Sequence, residues 1–166
     1  MTATLDNRWA MAAMAAASAG ALGLALISQY GFDLWPCELC YYQRAPYAGT
    51  LALGVLGLMP AVDGPSRRLI VAIAGGLFLL NAGIAGYHVG VEQRWWDGPS
   101  ACKGQILDLT PADLLAAVSQ PGRTGCEDAA FTFLGVSMAG YNALACMILA
   151  GACGWAWRRT SMWTTR

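Results

Sequence analysis

Charged side chains are spaced along this chain so that four long stretches carry none. They run from Trp9 to Phe32, Ala45 to Val62, Leu69 to Val91 and Ala129 to Trp157, over 24, 18, 23 and 29 residues. A helix rises about 1.5 Å per residue, so roughly 20 apolar residues cross the hydrocarbon core of a bilayer. Three stretches exceed that length, and Tyr41, Tyr42 and Gln43 extend the shorter second one into the interface. The pattern predicts four membrane helices over about 9–29, 41–60, 69–90 and 131–157, within one domain spanning 1–166. Burial inside a large soluble protein is excluded, because too little polar chain remains to cover four apolar helices. The first stretch also offers the small residues of a signal-peptide cleavage site. Asp6 in the would-be basic segment, and an apolar run longer than the usual 7–15 residues, predict a retained helix instead.

The expected fold class is therefore an all-α membrane protein, an up-down-up-down four-helix bundle. Two loops face outward, about 30–40 and 91–130, and a short loop after Met59 faces inward. Gly20 and Gly23 in the first helix, and Gly75, Gly76, Gly83 and Gly86 in the third, suggest close helix packing. Within the long loop, Thr110, Pro111 and Asp113 read as an N-cap, a first-turn proline and an N3 acid. Leu114, Leu115 and Val118 then make one apolar side before Pro121, predicting a short helix lying on the membrane surface.

Charge sets the orientation. Ten basic residues balance ten acidic ones, only 12% of residues are charged, and nothing points to a nucleic-acid partner. Six of the ten basic residues, Arg8, Arg67, Arg68, Arg158, Arg159 and Arg166, fall at the two termini and the short loop. Arg44, Arg94, Lys103 and Arg123 are spread over the other side, so the positive-inside bias predicts both termini in the cytoplasm. Tryptophan and tyrosine mark the water boundaries, with Trp9, Trp155 and Trp157 on one side and Tyr30, Trp35, Tyr41, Tyr42, Trp95 and Trp96 on the other.

The candidate chemistry lies in six cysteines. Cys146 and Cys153 fall inside the fourth helix, where free cysteine behaves as a small hydrophobe. Cys37, Cys40, Cys102 and Cys126 all fall in the outward loops, on the side where disulfides persist. A Cys37–Cys40 bridge would close four residues, worth roughly 2 kcal/mol, and a Cys102–Cys126 bridge 25 residues, worth roughly 3.5 kcal/mol. The tight bridge is a poor staple, so redox exchange explains it better. Structural zinc sites supply two close pairs, and here only one pair is close, so no metal is expected. Pro36 precedes the tight pair and a helix starts near Cys40, whose dipole favours a thiolate. Arg44, one turn further on, faces the same side in the interfacial zone.

Pro36-Cys37-Glu38-Leu39-Cys40-Tyr41-Tyr42-Gln43-Arg44 at the start of a second membrane helix resembles the signature of the DsbB family. So does the later stretch from Cys126 through Phe133-Leu134-Gly135-Val136-Ser137-Met138. The resemblance covers nearly the whole chain. It implies a quinone-reducing protein disulfide oxidoreductase of the bacterial inner membrane that reoxidises the periplasmic, thioredoxin-fold donor DsbA. It further implies that Cys102 and Cys126 meet the DsbA-like partner, with Cys102 the point of attack, and that exchange carries electrons to Cys37 and Cys40. Cys40 would then hand them to ubiquinone or menaquinone from the membrane pool, with Arg44 stabilising the thiolate and the reduced ring. His88, ending the third helix, is a candidate hydrogen-bond donor to a quinone carbonyl, with Glu92 one turn on as its partner. A vitamin K epoxide reductase-like enzyme would place its loop cysteines before the CxxC, the reverse of the order here. A non-enzymatic membrane scaffold with structural disulfides is the remaining alternative.

Overall fold

The computed structural model describes residues 3–102, 125–129 and 131–164. Among the described residues four α-helices carry the fold: α1 (Ala3–Gly31), α2 (Glu38–Leu58), α3 (Gly64–Glu92) and α4 (Met138–Arg158). The expected all-α membrane bundle is borne out. Asn7–Gly31, Gly64–Glu92 and Met138–Arg158 are long and apolar enough to cross a membrane. The 21 residues of α2 reach about 31 Å, a comparable span, although its first turns carry Glu38, Gln43 and Arg44. The expected surface helix around Thr110 to Val118 lies outside the described residues.

Helix α1 begins at Ala3 rather than at about 9, and the other three starts also differ from the hydrophobic pattern, each for a local reason. Helix α2 begins at Glu38 because Cys37 is its N-cap, the sulfur accepting from the Cys40 amide. Helix α3 begins at Gly64 because the Asp63 carboxylate accepts from the Ser66 amide and a proline occupies the first turn. Helix α4 begins only at Met138. The residues before it form a small antiparallel hairpin, β1 (Thr132–Phe133) and β2 (Val136–Ser137). Its two-residue turn holds Leu134 at φ 50° and Gly135 at φ 78°, the left-handed pair that suits a tight hairpin.

Helix α1 packs on α2, α2 on α3, and α3 on α4. Met11, Met14, Tyr47, Val71 and Phe78 fill the centre. The glycines that let helices approach are not the expected ones. A Cβ at Gly20, Gly23, Gly76, Gly83 or Gly86 would meet nothing within 4 Å, and only Gly75 faces a neighbour, Cys153. The close approach is instead made by Gly54 of α2, where a Cβ would stand 2.9–3.1 Å from Ala15 of α1. At the end away from the loop cysteines, arginines bind helix-terminal carbonyls. Arg67 donates to Gly57 and Met59, Arg8 to Leu58 and Arg68 to Trp157. The residues read as topology signals therefore also satisfy the last turns of α2 and α4.

Candidate functional site

Because α1 and α4 are joined mainly through the two helices between them, a gap opens between them at the cysteine-bearing end. It is a cavity of about 320 Å³ with α2 as its back wall. Apolar side chains from α1 (Leu22, Leu24, Ala25) and α4 (Met138, Ala139, Ala145) make most of the surface. Cys37, Cys40, Gln43, Arg44, His88 and Asn142 supply the polar groups. An apolar pocket with a few convergent polar groups is the usual form of a small-molecule site.

Cys37 and Cys40 are free thiols whose sulfurs lie 3.1 Å apart. Their spacing follows from the helix start: an N-cap residue and the third residue after it share one edge of the first turn. Cys37 receives the Cys40 amide at 3.4 Å and faces His88 Nε2 at 3.5 Å. With both sulfurs protonated, the Cys37 thiol donates to the Cys40 sulfur. Hydrogen bonding with Cys40 is the chief cause that pulls the Cys37 thiol below its ordinary range; burial opposes it and His88 adds to it. The arrangement prepares one thiolate beside one thiol, the form from which a disulfide exchanges.

Cys37, Cys40 and His88 hold two sulfurs and a ring nitrogen within 4.8 Å of one another. Two thiolates sharing a tetrahedral zinc would stand about 3.8 Å apart at zinc–sulfur bonds of about 2.3 Å. The observed 3.1 Å suits a sulfur–sulfur hydrogen bond instead.

Cys102 and Cys126 are bridged. The bridge is covered rather than presented, with Cys102 8% and Cys126 0% exposed. It packs with Cys37, Leu39 and Val91 in one cluster, and Cys40 rests against that cluster. A one-turn 3-10 helix, Ser100–Cys102, delivers Cys102 to this position. All four loop cysteines therefore meet at one place, although 24 positions separate Cys102 from Cys126.

Arg44 lines the cavity and is held against α1. Its Nη1 donates to Gln29 Oε1 at 2.7 Å, its Nη2 to the Ala25 carbonyl at 3.5 Å, and it lies 5.0 Å from the centre of the Tyr41 ring. His88 is buried at 3% exposure, and Glu92 Oε1 stands 3.8 Å from its Nε2, the pairing expected from their one-turn spacing. Sequence reasoning missed the carboxamides. Gln43 Nε2 bonds His88 Nδ1 at 2.9 Å, and Asn142 Nδ2 donates to Gln43 Oε1 at 2.6 Å. Tyr47 donates to Asn142 Oδ1 at 2.6 Å, and Cys146 touches Tyr47, Asn81 and Asn142. Cys146 is thus part of a buried polar network rather than a plain apolar filler. The available signal was the presence of amides within membrane helices, where polar groups are costly.

The family described as Disulfide bond formation protein DsbB matches residues 7–156. Disulfide bond formation protein B of Chromobacterium violaceum is 38% identical over 57% of this chain and 54% of its own. The protein of the same name from Xanthomonas axonopodis pv. citri is 34% identical over 74% of this chain and 73% of its own. That from Hahella chejuensis is 28% identical over 96% of this chain and 98% of its own. No solved structure matches the chain.

Proposed function

The chain belongs to the DsbB family of membrane disulfide oxidoreductases, and on that premise we propose that it reoxidises a DsbA-like, thioredoxin-fold partner and passes the electrons to membrane quinone. The observation that carries this reading is the common cluster. The bridged Cys102–Cys126 pair packs against the Cys37–Cys40 dithiol, and the dithiol lines the cavity.

The steps balance as two-electron exchanges. A thiolate of the reduced partner attacks the sulfur of Cys102, the more exposed residue of the bridge, and expels Cys126 as a thiolate. The partner's second thiol resolves the mixed disulfide, leaving the partner oxidised and Cys102 and Cys126 reduced. A Cys102 or Cys126 thiolate then attacks the oxidised Cys37–Cys40 bond, and the second exchange leaves that pair reduced. The Cys37–Cys40 dithiol in turn gives up two electrons and two protons as it closes again to a disulfide.

The cavity suits a quinone. Its volume of about 320 Å³ is at the small end for ligand sites and fits one ring, and its apolar walls suit a lipophilic carrier. Ubiquinone or menaquinone would supply the two-electron acceptor. Cys40, which lines the cavity, would be the sulfur that gives the electron pair to the acceptor, and the Cys37–Cys40 bond would close as two electrons and two protons leave with it. Arg44 offers positive charge beside the cavity, where an anionic oxygen would develop. His88 lines the same cavity and holds a proton within reach of the sulfur pair. The positive-inside bias supports an inner-membrane protein with both termini in the cytoplasm and the cysteine cluster on the periplasmic side.

Thiol trapping in cells tests the reading. Cys37 and Cys40 should be oxidised when quinone is present and should accumulate reduced when quinone synthesis is blocked. A redox state indifferent to quinone would sink the electron-acceptor assignment.

A further inference from the structure

The gap between α1 and α4 opens a second time at the end of the bundle that carries the termini, as a recess of about 360 Å³. It exists because small residues face one another there: Ala10 and Ala13 on α1 against Ala152, Cys153 and Ala156 on α4. Val71 and Phe78 of α3 close the back, and Met162 of the turn after α4 adds to the wall. The recess differs in kind from the cavity beside the loop cysteines. No amide, hydroxyl or carboxyl side chain lines it, so it offers nothing to orient a polar ring. A hydrocarbon chain is the chemistry it fits. Apolar walls alone do not select among lipids, because every lipid tail is as apolar as they are. Selection has to come from the mouth.

Trp9 and Trp155, one from each helix, line the recess and are 66% and 57% exposed, as tryptophans at a membrane–water boundary are. Arg159 lies one turn beyond Trp155, with its guanidinium 4.1 Å from the centre of that ring. The arginines at this end are not equivalent. Arg8, Arg67 and Arg68 are occupied by the carbonyls of Leu58, Gly57, Met59 and Trp157. Arg159 has no carbonyl or carboxylate partner among the described residues, and its one contact is the ring at the mouth. We propose that the recess holds one acyl chain of an anionic phospholipid, with Arg159 donating to the lipid phosphate and Trp9 and Trp155 flanking the headgroup. Positive charge at the mouth and apolar walls below it match the two ends of such a lipid. The chain also fills the gap between two helices that otherwise meet mainly through α2 and α3. The tail of a quinone is the rival occupant. It would have to arrive from the other cavity, which shares no lining residue with the recess, and a neutral quinone gives Arg159 nothing anionic to bind. The proposal does not depend on the electron path.

The full chain is purified in a neutral detergent, titrated with dioleoylphosphatidylglycerol or dioleoylphosphatidylcholine, and weighed intact by native mass spectrometry. One phosphatidylglycerol should be held about fivefold more tightly than phosphatidylcholine, the effect of one arginine beside an anionic headgroup. Arg159→Gln should remove that preference. Arg68→Gln loses the same charge from Trp157, outside the recess, and should keep it. Ala152→Phe, at an exposed position, should fill the recess and weaken retention of both lipids. A phosphatidylglycerol carrying a diazirine in its acyl chain should label the segments 9–14 and 149–156 on irradiation. Equal affinity for the two lipids in the unaltered protein, or labelling spread evenly round all four helices, would overturn the proposal without any variant having to fold. Displacement of the bound lipid by added ubiquinone would overturn it too, and would give the recess to a quinone tail.

Discussion

Arg44 joins two effects that substitution can separate. Its guanidinium donates to Gln29 Oε1 at 2.7 Å, and Gln29 is only 3% exposed. Arg44→Leu removes a hydrogen bond involving a charged group, worth about 1.5–3 kcal/mol, and leaves the Gln29 amide buried without its partner. A stability loss of about 2 kcal/mol is expected. Gln29→Leu should cost about 1 kcal/mol, because Arg44 keeps the Ala25 carbonyl and the Tyr41 face and its long stem can reach water. The double variant leaves no orphaned amide and should recover to within about 1 kcal/mol of the parent. Quinone affinity should behave differently. If Arg44 meets the developing negative charge in the cavity, both variants lacking it should show an apparent KM for quinone raised about tenfold, the loss of one charge-assisted contact. Thermal unfolding in detergent gives the first quantity, and steady-state quinone reduction with a reduced partner gives the second. An unchanged KM in Arg44→Leu would return the residue to the role of a lipid-phosphate anchor. A KM restored in the double variant would make the effect one of packing alone.

Two further outcomes follow from the geometry. His88→Ala removes one of the groups that lower the Cys37 thiol, so its thiolate should form only at a higher pH. The acid limb of its labelling curve, read by mass spectrometry on reduced protein, should move up by about one unit, and a stationary curve would remove His88 from thiolate stabilisation. Gly54→Val would drive a side chain into the Ala15 backbone and should cost about 1–3 kcal/mol or more in thermal stability. Gly76→Ala, which meets nothing within 4 Å, should be neutral; equal effects at the two sites would refute the packing assigned to α1 and α2.

The helices were legible because a bilayer forbids charge over a fixed length, so the gaps between charged residues measure the spans directly. Their ends were less legible, because caps depend on local hydrogen bonds rather than hydropathy. Cys37 caps α2 with a sulfur, and Arg67 and Arg68 sit within the first turns of α3 although they are charged. The hairpin before α4 hid inside an uncharged stretch, since Phe131, Phe133 and Leu134 read as membrane-like while their backbone turns back. The loop cysteines, Arg44 and His88 stood out by residue type. The amides did not, because each looks innocuous alone and only the fold lines up Gln43, His88 and Asn142 from three helices. The misplaced glycine expectation has the same origin: composition counts small residues, but only packing says which face a neighbour.

The cluster also explains why the two cysteine pairs need not be alike. A bridge at 8% and 0% exposure is shielded from casual thiols, so exchange with it requires a partner that can uncover Cys102. On the proposed reading, that partner's docking energy performs the uncovering, and burial supplies selectivity. The Cys37–Cys40 pair faces the opposite demand. It must exchange with a neighbouring disulfide within the protein and with a small carrier from the membrane, so it sits at a fixed helix start beside a cavity. A thiolate stabilised too strongly attacks slowly, because nucleophilicity falls as basicity falls. Two sulfurs 3.1 Å apart share one proton, so the neighbour can hold it while the other acts as the attacking thiolate.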